Sequence, residues 1–150
     1  MSNKTAAVFP GQGTQKPGMG KDFYDTIPAS RDAFHEASDA LGWDVPALCF
    51  ANNDKIHLTE YAQPCILATE IAMLRGLQSE YGFSPEYFGG HSLGEYAAMV
   101  AAEAMPLAEA LQTVHIRGRL MQQASPPGSG AMAALIAKDL DVGLIRRALD

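Results

Sequence analysis

The sequence is poor in basic residues and contains no long uninterrupted apolar run. Its 150 residues include 11 lysines and arginines against 17 aspartates and glutamates, which gives a formal net charge of −6. An acidic chain without a basic run is a poor ligand for nucleic acid or for an anionic membrane surface, so we expect neither as a partner. No apolar stretch is long enough to cross a bilayer, and the N-terminus lacks the pattern of a signal peptide. These features predict a cytoplasmic protein.

Cysteine is also scarce. Cys49 and Cys65 are the 2 cysteines, and both lie inside apolar segments, which predicts buried thiols in a reducing compartment rather than a disulfide framework. Hydrophobic residues make up 47% of the chain. A chain of this length and composition has enough apolar surface to build the core of one modest domain.

A serine between glycines is the most informative pattern in the chain. Ser92 stands in the sequence GHSLG, directly after a short apolar strand predicted at Glu86–Gly89 and before an alanine-rich helical stretch. Small residues at Gly90 and Gly94 would let the chain turn sharply while the helix start passes close beneath it. The pattern predicts a nucleophile elbow, in which the serine sits at a helix N-terminus that stabilises an oxyanion.

A glycine-rich loop follows the first predicted strand, Thr5–Phe9. This loop, residues 10–20, fails the tests for a phosphate-binding motif: Lys16 replaces the third glycine of the dinucleotide fingerprint, and Met19 replaces the lysine of the Walker motif. We therefore expect no nucleotide site here. The loop has an unhindered backbone and an amide side chain at Gln12, which suit the second donor of an oxyanion hole built against the elbow.

The remaining periodicities predict helices alternating with short strands. One helix is expected over Pro28–Leu41, a second from Pro64 to near Gly82, and a third from Leu107. This order predicts a three-layer α/β core with a parallel sheet over residues 1–124. Residues 125–130 are expected to form a linker, followed by a strand over 131–137 and a helix over 141–149.

An arginine lies on the flank of the apolar stripe of the third helix. The stripe consists of Leu107, Leu111, Val114, Gly118 and Met121. At 100° per residue, Arg117 falls about 80° from the centre of the stripe and Arg119 on the opposite side. A guanidinium beside a core needs an anion, which is either a substrate carboxylate held by two parallel hydrogen bonds or a protein carboxylate such as Glu95. Helix geometry alone favours the protein carboxylate.

Several motifs together resemble one family. They are FPGQG at 9–13, Gln63-Pro64, GHSLGEY at 90–96, Arg117-Gly118 and Gly130-Ala131-Met132. Their order and spacing are similar to those of malonyl-CoA:acyl carrier protein transacylases. The resemblance implies a hydrolase-like core, a ferredoxin-like α+β subdomain that starts within residues 131–150, and no metal or nucleotide cofactor. It also implies a ping-pong transfer of malonyl from coenzyme A to a serine and then to the phosphopantetheine thiol of an acyl carrier protein.

The same resemblance assigns roles to individual residues. It makes Ser92 the nucleophile, the backbone N–H groups of Gln12 and Leu93 the oxyanion hole, and Arg117 the group that binds the malonyl carboxylate. Gln63 corresponds to a position near the active site, although an N-terminal helix cap is an almost equal alternative. His91, next to the nucleophile, is a candidate for active-site support.

The chain departs from this family in one respect. The family's histidine base lies in a segment beyond position 150, and none of the 4 histidines here stands in a comparable sequence. We therefore expect the active unit to need a further C-terminal segment as a partner. Two other interpretations stay open: an acyl hydrolase that clears acyl groups from carrier proteins, and a docking fragment without catalytic activity.

Overall fold

Two short parallel strands form the sheet in the part of the chain that the structure describes. The computed structural model describes residues 4–126, 128–130, 138–139 and 141–149. Strand β1, Ala6–Phe9, pairs with strand β2, Tyr87–Gly90, so that Ala6 lies opposite Tyr87 and Phe9 opposite Gly90. Both predicted strands are therefore found within one residue of their expected bounds. Because the strands are parallel and in register, the loop after β1 and the turn after β2 leave the same edge of the sheet.

The described helices follow these strands along the chain, and most of them pack on one another. They are α1 Lys21–Thr26, α2 Pro28–Leu41, α3 Val45–Phe50, α4 Thr59–Tyr81, α5 Gly94–Ala101, α6 Leu107–Ala124 and α7 Val142–Leu149, with a 3-10 turn at Asp54–His57. Helix α5 contacts both strands, α4 packs against α5, and α2 and α6 pack against α4. No helix of the described residues is both long and apolar enough to cross a membrane.

The predicted α/β fold with a parallel sheet is confirmed, whereas a helical layer on each face of the sheet is not seen among the described residues. Phe9 points into the core with 6% of its surface exposed, while Val8, its neighbour on the strand, is 75% exposed. Successive side chains of a strand point to opposite faces. The face of β1 that carries Val8 is therefore open to solvent here.

Helix α2 has the bounds that its sequence predicts. Pro28 occupies its first turn, where the missing N–H has no partner to lose, and Gly42 ends it with a φ of 75°. Ala33, Phe34 and Ala37 are fully buried on the side that faces α4. Local start and stop signals agree with the apolar spacing, which is why this helix was predictable to the residue.

The predicted start of α4 at Pro64 is wrong. The helix begins at Thr59 and contains Pro64 near the end of its second turn, although it ends before Gly82 as expected. Pro64 lies beyond the first turn, so it deprives the Glu60 carbonyl, four residues back, of its helical hydrogen bond, and its ring crowds that carbonyl. Most residues of α4 are buried on all sides, so tertiary packing compensates for the lost bond.

The apolar stripe of α6 is confirmed except at its last member. Leu107, Leu111, Val114 and Gly118 are buried, but Met121 is 45% exposed. The Met121 sulfur lies 3.3 Å from Nε2 of Gln63, at the first turns of α4. Met121 therefore borders the site described below rather than the core.

The C-terminal part of the prediction is only partly covered by the described residues. Helix α7, Val142–Leu149, lies within the helix predicted over 141–149. The strand predicted over 131–137 lies outside the described residues. Elsewhere in the structure, Cys49 and Cys65 are buried free thiols, as the sequence predicts.

One carboxylate of α4 lies among apolar groups. Both oxygens of Glu70 are shielded from solvent, and neither has a hydrogen-bond partner in the described part of the chain. Its surroundings include Phe9, Met73, Leu77 and Phe83. Burial raises the pKa of this carboxyl to about 8, because the charged form loses its hydration.

Glu70→Gln is therefore expected to stabilise the chain at neutral and higher pH. Between the ordinary pKa of 4.5 and about 8 the folded state holds a proton that the unfolded state releases, so the free energy of unfolding falls as pH rises through this window. The uncharged amide of glutamine removes this pH dependence of the free energy of unfolding, which amounts to at most about 1.4 kcal/mol per pH unit. Urea unfolding across the window measures it, with Glu80→Gln at an exposed position of the same helix as control. Parallel pH profiles for wild type and Glu70→Gln would refute the prediction.

Candidate active site

Ser92 lies on the turn between β2 and α5 in a strained backbone conformation. Its φ is 55°, in the left-handed region that residues with a side chain seldom adopt. Helix α5 begins two residues later at Gly94. The strand, the turn and the helix predicted for the nucleophile elbow are therefore present, and the Ser92 side chain is exposed at the N-terminus of α5.

The glycines of the elbow allow three backbone segments to touch. A Cβ at Gly94 would overlap the carbonyl groups of Phe9 and Pro10, and one at Gly90 would overlap the backbone of Gly94 and Glu95. The start of α5 thus lies directly on the end of β1. This close approach is what brings the serine next to the loop that follows β1.

Gly94→Ala is expected to destabilise the fold, because the backbone atoms around it cannot move aside without separating α5 from β1. Overpacking of this kind typically costs about 1–3 kcal/mol of the free energy of unfolding. Gly89→Ala is the matched control, since an added Cβ at Gly89 meets nothing within 4 Å. Urea unfolding of both variants tests the claim, and equal stability of the two would show that the contact at Gly94 is dispensable.

The loop after β1 lies against the elbow. The backbone N–H of His91 donates to the Phe9 carbonyl at 3.1 Å, and a Cβ at Gly11 would lie 2.8 Å from the His91 carbonyl oxygen and 2.9 Å from its Nδ1. The imidazole of His91 therefore packs beside Gly11 and makes no hydrogen bond to Ser92 in the described structure. Gln12 follows directly, and Leu93, on the other side of the serine, is fully buried.

Arg117 reaches the serine from α6. Its Nη2 donates to Ser92 Oγ at 3.1 Å, and its Nη1 donates to Oε1 of Gln63 at 2.7 Å. The guanidinium carbon lies 5.9 Å from the centre of the Tyr96 ring, which limits its freedom on that side. The arginine is half-buried, whereas Arg119 is exposed, as the helical spacing predicts.

No protein carboxylate neutralises Arg117 in the described residues. The ion pairs found there join Lys21 to Asp25 and Arg75 to Glu36, and a Glu60 oxygen lies 3.3 Å from Nε2 of His115. Glu95, the alternative partner considered from the sequence, is exposed and not paired with the arginine. A guanidinium has five N–H donors, so several stay available for an anion beside the serine hydroxyl.

Gln63 is not a helix cap. It lies in the second turn of α4, is fully buried, and accepts a hydrogen bond from Arg117. Its Nε2 donates to Oε1 of Gln12 at 3.2 Å, and Nε2 of Gln12 donates to the Thr59 hydroxyl at 3.1 Å. The side chain of Gln12 therefore belongs to the site, a contribution that the sequence did not predict.

Apart from His91, which directly precedes Ser92, the histidines of the described residues make no hydrogen bond to the elbow. His35 pairs with the Tyr24 hydroxyl at 3.2 Å, His115 lies 3.3 Å from a Glu60 oxygen, and His57 is in the 3-10 turn. In the described residues the hydrogen-bond partner of Ser92 Oγ is Arg117, a group that cannot accept a proton. The part of the site seen here thus has a serine hydroxyl and a cation but no base in contact with the serine.

The fold and the site together define an α/β protein of the acyl-transfer class, with a serine on a nucleophile elbow. Residues 7–144 match the family model described as the acyl transferase domain. The chain belongs to this family. The expectation drawn from the sequence motifs is confirmed at this level.

Individual relatives carry a more specific name. The chain is 44% identical over 140 residues to the malonyl CoA-acyl carrier protein transacylase of Bacillus subtilis, covering 93% of this chain and 44% of that protein. The crystal structure of MCAT from Streptococcus pneumoniae superposes with a TM-score of 0.78 at 45% identity, covering 82% of this chain and 40% of that one. A malonyl-transacylase in complex with a type II PKS acyl-carrier protein has a TM-score of 0.78 at 41% identity, covering 84% and 41%. The chain thus spans less than half the length of these relatives.

Proposed function

We propose that this chain is the nucleophile-bearing part of an acyl carrier protein S-malonyltransferase. The observation that carries the proposal is the guanidinium of Arg117, which touches the Ser92 hydroxyl and has no protein carboxylate of its own in the described residues. A thioester of a dicarboxylic acid would place its thioester carbonyl at Ser92 and its free carboxylate on Arg117. The names of the relatives, and the complex of one such enzyme with a carrier protein, support the same substrate and partner.

In the proposed reaction, Ser92 attacks the thioester carbonyl of malonyl-CoA. The serine proton passes to a base, the bond from the carbonyl carbon to sulfur breaks, and coenzyme A leaves as the thiol. The backbone N–H groups of Gln12 and Leu93 would stabilise the oxyanion, helped by the N-terminus of α5. Attack by the phosphopantetheine thiol of a carrier protein then reverses these steps and frees the serine.

Arg117 would hold the malonyl carboxylate through two parallel hydrogen bonds. Gln63 stabilises the arginine in this position, because its Oε1 accepts from Nη1 at 2.7 Å. His91 would support the loop after β1 through its contact with Gly11. This chemistry needs no metal and no nucleotide cofactor, since serine, arginine and a base supply every proton and charge that the transfer requires.

We further propose that the base comes from a segment outside these 150 residues, on the same polypeptide or on another. That segment would complete a hydrolase-like three-layer core begun by residues 1–124. After the linker at 125–130, residues 131–150 would start a ferredoxin-like subdomain. We place the assembled protein in the cytoplasm. The term complete enzyme is used below for this chain together with the segment that supplies the base.

A transfer assay tests the function. The complete enzyme is mixed with malonyl-CoA labelled in the malonyl group and with a carrier protein that has its phosphopantetheine arm, and label is followed on the carrier and as free malonate. We expect label on this carrier and none on the same carrier without the arm. Release of most label as free malonate would identify an acyl hydrolase, and no reaction at all would favour a docking module.

A further inference from the structure

A row of side-chain hydrogen bonds links the arginine to the threonine that begins α4. Arg117 donates to Gln63, Gln63 donates to Gln12 at 3.2 Å, and Gln12 donates to the hydroxyl of Thr59 at 3.1 Å. The partners come from α6, α4 and the loop after β1. We call this row, made of Arg117, Gln63, Gln12 and Thr59, the amide relay.

The chemistry of its members gives the amide relay one direction. A guanidinium only donates, so the group of Gln63 that faces it must be the carbonyl oxygen Oε1. This choice turns Nε2 of Gln63 toward Gln12, which must then present its own Oε1 and turn its Nε2 toward Thr59. The threonine hydroxyl therefore has to accept, and it is the terminal acceptor that completes the row.

Thr59 also contacts the helix that carries the arginine. A Cβ at Gly118 would lie 2.5 Å from the Thr59 carbonyl oxygen and 3.0 Å from Cα of Glu60. Because Gly118 has no side chain, α6 rests directly on the first turn of α4. The hydroxyl of Thr59 thus bonds the loop of the oxyanion hole, while its backbone supports the residue next to Arg117.

We propose that Thr59 is a positioning residue for the site of the substrate carboxylate. Its hydroxyl accepts from Nε2 of Gln12 and so fixes the position of the amide whose Oε1 accepts from Gln63. This inference rests on the proposed malonyl transfer, since it assigns Thr59 to the group that selects a free carboxylate. Without the hydroxyl, Gln12 loses its bond to α4, and Nε2 of Gln63 loses a partner of fixed position. Arg117 then loses its fixed position. This lowers the rate of malonyl transfer more than that of acetyl transfer, because acetyl has no carboxylate for the arginine to hold.

Thr59→Val tests the proposal because it removes the hydroxyl and keeps the shape of the side chain. Loss of one neutral hydrogen bond is expected to lower kcat/KM for malonyl-CoA about threefold to tenfold. The effect stays in this range because Gln12 is exposed and water replaces part of the lost acceptor. kcat/KM for acetyl-CoA in the complete enzyme should fall much less, because acetyl has no carboxylate for Arg117 to hold. Thr59→Ser should restore the wild-type ratio, and Thr26→Val, the same change at an exposed threonine of α1, is the control.

A second measurement keeps the test independent of turnover. The side-chain amide signals of Gln63 and Gln12 are recorded by NMR in the complete enzyme, where Thr59→Val should shift both and Thr59→Ser neither. Equal losses for malonyl and acetyl, failure of serine to restore the ratio, or unmoved Gln63 signals in Thr59→Val would each overturn the role of Thr59. A wild-type enzyme that transfers no malonyl would refute the proposed function instead, and the NMR comparison would still decide whether the relay exists.

Discussion

Replacing Ser92 with alanine is expected to abolish covalent capture of malonyl by the complete enzyme. The hydroxyl is the atom that forms the ester, and no other nucleophile of the described structure touches Arg117. The loss should be complete within detection, since the intermediate itself can no longer form. Stability should change little, because the side chain is exposed and alanine meets the same strain at a φ of 55° as serine does.

Ser92→Gly is the matched control for that strain. Glycine adopts a positive φ freely, so this variant should be at least as stable as wild type and equally unable to form the ester. Intact mass after mixing with malonyl-CoA measures the adduct, and urea unfolding measures the stability. If either variant still gained the mass of one malonyl group, the nucleophile would lie elsewhere.

Arg117→Ala is expected to collapse the preference for malonyl over acetyl. A charge-assisted hydrogen bond contributes about 1.5–3 kcal/mol, so losing a bidentate pair should lower malonyl transfer by a factor on the order of 10² or more. Acetyl has no carboxylate to lose. Its transfer should hold steady or rise, because the variant no longer presents an unpaired, half-buried cation to a small apolar group.

Two further variants sharpen this comparison. Arg119→Ala removes an exposed arginine of the same helix and should leave both rates unchanged. Arg117→Lys should recover only part of the malonyl rate, because an ammonium is a point charge without the planar fork. The values of kcat/KM for both thioesters in the complete enzyme test the idea. A parallel fall of the two rates in Arg117→Ala would show that the arginine has only a structural role.

Features with strong local signals were predictable from the sequence. Helix α2 has a proline in its first turn and a glycine after its last, and its bounds agree to the residue. The elbow was predictable because the close approach at Gly90 and Gly94 excludes any side chain there. The family resemblance predicts that Ser92 and Arg117 belong to one site, and Nη2 of Arg117 lies 3.1 Å from Oγ of Ser92.

Features that depend on distant contacts were not predictable. The sequence predicts that α4 starts at Pro64, because proline often occupies the first turn of a helix. The helix instead begins at Thr59, where packing against other helices stabilises the additional residues. The local sequence fits a helix cap at Gln63 almost equally well, because the contact that defines its role comes from Arg117, 54 residues away. Nothing in the local sequence marks Thr59 either, since its hydroxyl meets Gln12 across 47 residues. Short-range patterns contain no information about such pairs.

The position of the acyl group on the wild-type chain tests the account most directly. The complete enzyme is mixed with malonyl-CoA in the absence of carrier protein, quenched in acid and digested, and the modified peptide is sequenced by mass spectrometry. We predict one malonyl group, on the peptide containing Ser92, and its removal when carrier protein with its phosphopantetheine arm is added before the quench. Two results would contradict the account. One is a malonyl group on any other residue, and the other is release of free coenzyme A with no acyl group bound to the protein at any time.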